Sequence, residues 1–115
     1  MISISSYPIV SNNQYNRYNR STSSFARTDV SDLLSKGNKA LNENRYEEAR
    51  RIFEQANKQD SENNTVLKKL GKTYFYLKDY EKSEKSYQTY LEKVPNDSET
   101  WIELGETQRM SGYYQ

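Results

Sequence analysis

The sequence predicts an all-α fold, a stack of antiparallel helix pairs preceded by a disordered tail. Three observations carry this prediction. The chain repeats itself at a spacing of 34 residues: one shift places Leu33 on Leu67, Gly37 on Gly71, Tyr46 on Tyr80 and Phe53 on Tyr87. A second shift places Leu67 on Trp101, Leu70 on Leu104, Gly71 on Gly105 and Tyr80 on Tyr114, so a single register holds through three units. Within the units, apolar residues recur at helical spacing, as in Leu67, Leu70, Tyr74 and Leu77, then Tyr80, Tyr87, Tyr90 and Leu91. The core must also be thin. Leu, Ile, Val and Phe make only 20 of the 115 residues while Tyr contributes 11, a composition that suits layered helices better than a sandwich or barrel.

Residues 1–29 read as the tail. Up to Thr28 there is no acid and no leucine, and Arg17, Arg20 and Arg27 are the only charges in a Ser-, Asn- and Tyr-rich run. Such a segment buries too little apolar area to offset the entropy of ordering it. From Asp29 onward periodicity begins, and breaks at Glu43-Asn44-Arg45, Asp60-Ser61-Glu62-Asn63, Lys78-Asp79 and Pro95-Asn96-Asp97-Ser98 delimit five helices. These fall near 31–43, 46–58, 64–77, 80–93 and 98–110, grouped into units 30–63, 64–97 and an incomplete third unit, 98–115. Links this short force neighbouring helices antiparallel. Asn96 followed by Glu99 has the form of a capping box for the fifth helix. Gly37, Gly71 and Gly105 each interrupt a helix at a cost of about 1 kcal/mol against alanine. A cost repeated at one position implies a close helix approach, with the small Ala49 and Ser83 as the expected opposing positions.

Composition excludes several functions. With no cysteine and no histidine there is no thiolate zinc site, no cysteine nucleophile and no imidazole base. The four glycines are isolated and build no phosphate loop, so the chain reads as a non-enzyme with no catalytic residue, no metal and no cofactor. A net charge of +1 does not favour nucleic acid as the main partner. No run approaches the roughly 20 apolar residues of a membrane span, and the N-terminus has no conventional export signal. A cytoplasmic location is expected, with secretion by another route as the alternative: Ile2-Ser3-Ile4-Ser5 before a Ser/Asn-rich run is similar to the N-termini of type III secretion substrates. Tyr15, Arg17, Tyr18 and Arg20 interleave ring and guanidinium as single-strand binders do, but three cations are a weak footprint.

The motifs also carry a family resemblance. Leu67-x-x-Leu70-Gly71-x-x-Tyr74 and Trp101-x-x-Leu104-Gly105 resemble the first helix of a tetratricopeptide repeat (TPR). Asp79-Tyr80-x-x-Ser83-x-x-x-Tyr87-x-x-Tyr90, closed by Pro95, resembles its second. The first unit departs from the pattern at Lys36, Ala40 and Ser61. The resemblance implies an α-α superhelix (a TPR solenoid) that acts as an adaptor or chaperone-like scaffold for a protein or peptide ligand. It implies a concave groove lined by Leu34, Asn38, Leu41 and Asn42, then Lys68, Lys69, Lys72, Phe75 and Tyr76, then Glu99, Ile102, Glu103, Glu106 and Arg109. Two interpretations of these charges stand open: partner recognition, or simple pairing of Lys69 and Lys72 with Glu103 and Glu106, worth about 0–1 kcal/mol each. The carboxylate clamp of some members maps onto Leu34, Asn38, Lys69, Glu99 and Glu103, where two glutamates would repel an acidic terminus, so clamp function is not expected. Finally, the sequence stops at Tyr113-Tyr114-Gln115, where a sixth helix is due. Trp101 and Leu104 are then expected to lack its cover and to support a homo-oligomer, by face-to-face contact or by exchange of the fifth helix.

Overall fold

The computed structural model describes residues 29–113, and among them every element is helical. The helices are α1 (Val30–Asn42), α2 (Tyr46–Gln59), α3 (Asn64–Tyr76), α4 (Tyr80–Lys93) and α5 (Ser98–Tyr113). Each packs on its neighbour in the chain, α1 on α2 through to α4 on α5. No helix among the described residues is long and apolar enough to cross a membrane. The expectations for the tail fall outside the described residues, as does the register match at Tyr114.

Local chemistry sets the helix ends. Asn63 Oδ1 accepts the Val66 N–H at 3.1 Å and Asp79 Oδ1 the Lys82 N–H at 3.3 Å, each satisfying an amide that the helix cannot. Asp97, not Asn96, caps α5: its Oδ1 accepts the Thr100 N–H at 3.2 Å. The capping box at Asn96 and Glu99 is thereby corrected. The cap is one residue later than expected, with Thr100 rather than Glu99 at the third helical position. The turns inside the two units are alike. Asn44 and Lys78, 34 positions apart, both adopt the left-handed conformation, at φ 63° and 66°. The next amides, of Arg45 and Asp79, reach back to the carbonyls of Ala40 (2.8 Å) and Tyr74 (2.9 Å), closing the same C-terminal motif twice. Observed helix bounds match the periodicity within one residue, except that α5 continues to Tyr113, three residues past the expected end.

Two clusters form the interior. Leu33, Ala40, Leu41, Ala49, Phe53, Ala56, Val66, Leu70 and Tyr74 join α1, α2 and α3. Leu67, Tyr87, Tyr90, Leu91 and Leu104 join α3, α4 and α5. The repeated glycine marks where each pair closes. A Cβ on Gly37 would lie 2.5 Å from the Phe53 ring, and one on Gly71 2.6 Å from the Tyr87 ring. The space that a side chain on either glycine would need belongs to an aromatic ring, one turn further along the partner helix than the expected small positions Ala49 and Ser83. Ser83 does reach Gly71, but through chemistry rather than size, its hydroxyl donating to the Gly71 carbonyl at 2.7 Å.

Candidate peptide-binding groove

Because α3 and α5 both pack on α4, their facing sides flank a groove floored by the α4 residues Tyr87 and Tyr90. Six of the residues expected to bind a ligand line one pocket of about 210 Å³: Lys72, Phe75 and Tyr76 from α3, and Ile102, Glu103 and Glu106 from α5. Tyr87 and Thr107 complete it. Its apolar part is accessible, with Tyr76 46% and Ile102 72% exposed. Tyr76 is held in place by stacking on Tyr46, at 4.8 Å between centroids and 14° between planes, while the Tyr46 hydroxyl donates to Asn44 Oδ1 at 2.9 Å. The aromatic wall is therefore braced by the turn of the first unit. Phase explains the rest: Leu70 and Tyr74 point into the core, and Lys69, Lys72 and Tyr76 follow on the opposite stripe of the same helix.

A second hollow of about 310 Å³ adjoins the first, lined by Lys68, Lys69 and Lys72 with Asn64, Tyr90 and Glu103 among others. Here the three lysines part company. Lys68 Nζ pairs with Asp97 Oδ2 at 2.9 Å, and the Tyr90 hydroxyl donates to the same oxygen at 2.6 Å. These bonds and the α5 cap hold the Asp97 carboxyl far below its ordinary pKa, the Tyr90 hydroxyl contributing most and Lys68 next. Asp97 in turn raises Lys68 and Tyr90. Lys68 is thus a strut between α3 and the start of α5, not a free recognition charge. Lys69 and Lys72 make no ion pair within 4 Å among the described residues, and Glu103 makes none either, while Glu106 pairs with Arg109 on its own helix. Burial lowers the Lys69 pKa, and repulsion from Lys72 and Lys68 adds to it. Burial likewise pushes the Tyr87 phenol well above its ordinary value, helped by the Glu103 carboxylate. Charge pairing across the groove, one of the two interpretations open from sequence, is not how these side chains are arranged.

The remaining candidates lie elsewhere. Leu41 is buried in the first cluster, and the partly buried Leu34 packs against it. Asn38 is half-buried, and its Oδ1 is enclosed without a hydrogen-bond partner among the described residues. Leu104, expected on an uncovered face, is only 5% exposed within the second cluster; it faces back onto Leu91 of α4 rather than forward. Trp101 is 49% exposed, with its indole N–H donating to the Pro95 carbonyl at 2.9 Å. Sequence reasoning missed Asp97 and Tyr90 as a connected pair. The available signal was a helix-capping Asp seven residues after a tyrosine at a repeat position.

In comparison with protein families, the model described as "Tetratricopeptide repeat" matches residues 40–104, more than half of the chain. No curated protein matches the sequence.

Proposed function

Since the chain belongs to the tetratricopeptide repeat family, whose repeats are generally protein–protein interaction modules, we propose that it is an adaptor that holds a peptide segment or helix in the groove between α3 and α5. The observation that carries this is the pocket that collects Lys72, Phe75, Tyr76, Ile102, Glu103 and Glu106, with apolar side chains open to solvent at its centre. Lys72 and Lys69 line the α3 wall and Glu103 and Glu106 the α5 wall. An apolar anchor residue seated between these walls, acidic on its α3 side and basic on its α5 side, matches both chemistries.

The test is selection of peptides from a displayed library on the full chain, followed by titration of the selected segment. Ile102→Glu should weaken binding about 10–100-fold, the range for losing one buried aliphatic contact. Lys72→Glu should weaken it too and flatten its salt dependence. Selected segments that bind both variants as well as the parent chain would refute the groove as the site.

A further inference from the structure

The two hollows of the groove lie end to end along α3 and differ in chemistry. The hollow nearer the start of α3 takes Asn64, Thr65, Lys68, Lys69 and Lys72 from that helix, and the hollow nearer its end takes Lys72, Phe75 and Tyr76. In the first, Lys68 is held by Asp97, whereas Lys69 and Lys72 have no carboxylate within 4 Å among the described residues. The acidic residue that lines it, Glu103, rests its carboxylate against the Tyr87 phenol, at the aromatic end. Lys69 is half-buried, so its charge has lost part of its hydration without gaining a counter-charge. Polar capacity is unused beside it as well. Neither Asn64 nor Thr65 makes a side-chain hydrogen bond among the described residues, and Asn64 Oδ1 is enclosed without a partner.

We propose, resting on the groove as the ligand site, that the lysine hollow selects an acidic side chain from the same segment whose apolar residue fills the aromatic hollow, the two standing three positions apart in an extended chain. Charge sets the class of the side chain: Lys69 and Lys72, one turn apart on α3, flank a space that a carboxylate completes. The spacing follows from the helix. Lys69 and Phe75 are six positions apart in sequence, about 9 Å along α3 at roughly 1.5 Å per residue. A polyproline-like segment rises about 3.1 Å per residue with about three residues per turn, so residues three apart lie about 9 Å from each other on one side. An extended segment also keeps its own amides and carbonyls available to Asn64 and Thr65, whereas a helical ligand has already paired its own. Lys69 and Lys72 are therefore the residues that determine specificity, and Lys68, tied to Asp97, is not.

A library of segments displayed internally, with no free C-terminus, tests this when selected on the full parent chain and on the full chain carrying Lys69→Glu and Lys72→Glu, with melting curves confirming that the variant folds. The parent should enrich Asp or Glu three positions from a bulky apolar residue. The reversed chain should keep the apolar residue and enrich Lys or Arg at the same distance, an exchange that a merely structural role for the lysines does not produce. In a segment selected on the parent, replacing the acid by its amide should weaken binding about 10-fold, near the low end for a hydrogen bond to a charged group. The same replacement should change binding to the neutral chain, Lys69→Gln with Lys72→Gln, far less; that comparison carries the test where the charge reversal unfolds the protein. Enrichment of the same acid by both chains, no acid at that distance, or equal losses in the parent and the neutral chain would each overturn the proposal. Ile102→Glu separates this failure from that of the groove. Selected segments that still lose affinity for it leave the groove standing and remove only the role of the lysine hollow, whereas segments that bind it like the parent place the site elsewhere and remove both.

Discussion

Alanine at Gly71 and at Gly105 should change stability in opposite directions, although the two positions are equivalent in the repeat. In both helices, replacing glycine by alanine removes backbone freedom from the unfolded chain and gains about 1 kcal/mol. At Gly105 the new methyl meets nothing within 4 Å among the described residues, so that gain should be realised in full. At Gly71 the methyl would lie 2.6 Å from the Tyr87 ring, which is 2% exposed and would have to shift to admit it. Overpacking of this kind costs about 1–3 kcal/mol, leaving a net loss of about 0–2 kcal/mol. Gly37→Ala, 2.5 Å from the wholly buried Phe53, should behave like Gly71→Ala. The two classes should differ by about 1–3 kcal/mol, or roughly 4 °C or more in melting temperature for a domain of this size. Thermal melts read by circular dichroism in dilute solution, where self-association does not contribute, give the answer. Three variants that all melt higher than the parent would show that no ring presses on Gly37 and Gly71, and the packing argument would fail.

Other outcomes follow from the helix ends and the Asp97 strut. Asp97 has a folded-state pKa well below its unfolded value of about 3.9, so its contribution is present above about pH 4 and lost as pH falls toward the folded value. The melting temperature should therefore drop below about pH 4, and Asp97→Asn should lower it at neutral pH while flattening that acid limb, as a pH series of melts would show. Lys68→Glu should destabilise the fold by setting two carboxylates against each other where the ion pair stood at 2.9 Å, whereas Lys72→Glu should leave the denaturant midpoint nearly unchanged. Lys78, held at φ 66°, should give about 1 kcal/mol of extra stability on replacement by glycine, read from the urea midpoint.

How much was legible in the sequence depends on whether the signal was periodic. The 34-residue register located the helices of the described residues because it recurs, and the same recurrence flagged Gly37 and Gly71 as close-approach positions, while a Cβ on Gly105 meets nothing within 4 Å among the described residues. It did not reveal which side chain fills the notch, since Ala49 and Phe53 both lie on the inner face of α2 and only the packing depth distinguishes them. Part of the lining expected on α1 is core instead, because Leu41 is drawn into the cluster shared with Val66 and Leu70. The lysine stripe was one charge pattern in sequence but two roles in space: Lys68 meets Asp97, 29 residues away, and no local rule links them. Leu104 was misread for a related reason. Its equivalent Leu70 is buried, and so is Leu104, because α4 covers that side of α5 irrespective of what lies beyond.

The central claim is that ligand recognition belongs to the facing sides of α3 and α5. Backbone amide spectra of the isotopically labelled chain, recorded while a library-selected segment is titrated in, test it most directly. The account predicts that the largest shifts cluster at Lys69, Lys72, Phe75 and Tyr76 on α3 and at Ile102, Glu103 and Glu106 on α5, with Glu47, Arg51 and Glu81 at the outer surface of α2 and α4 unmoved. Shifts concentrated on α2 and the outer face of α4, with the groove residues still, would contradict it.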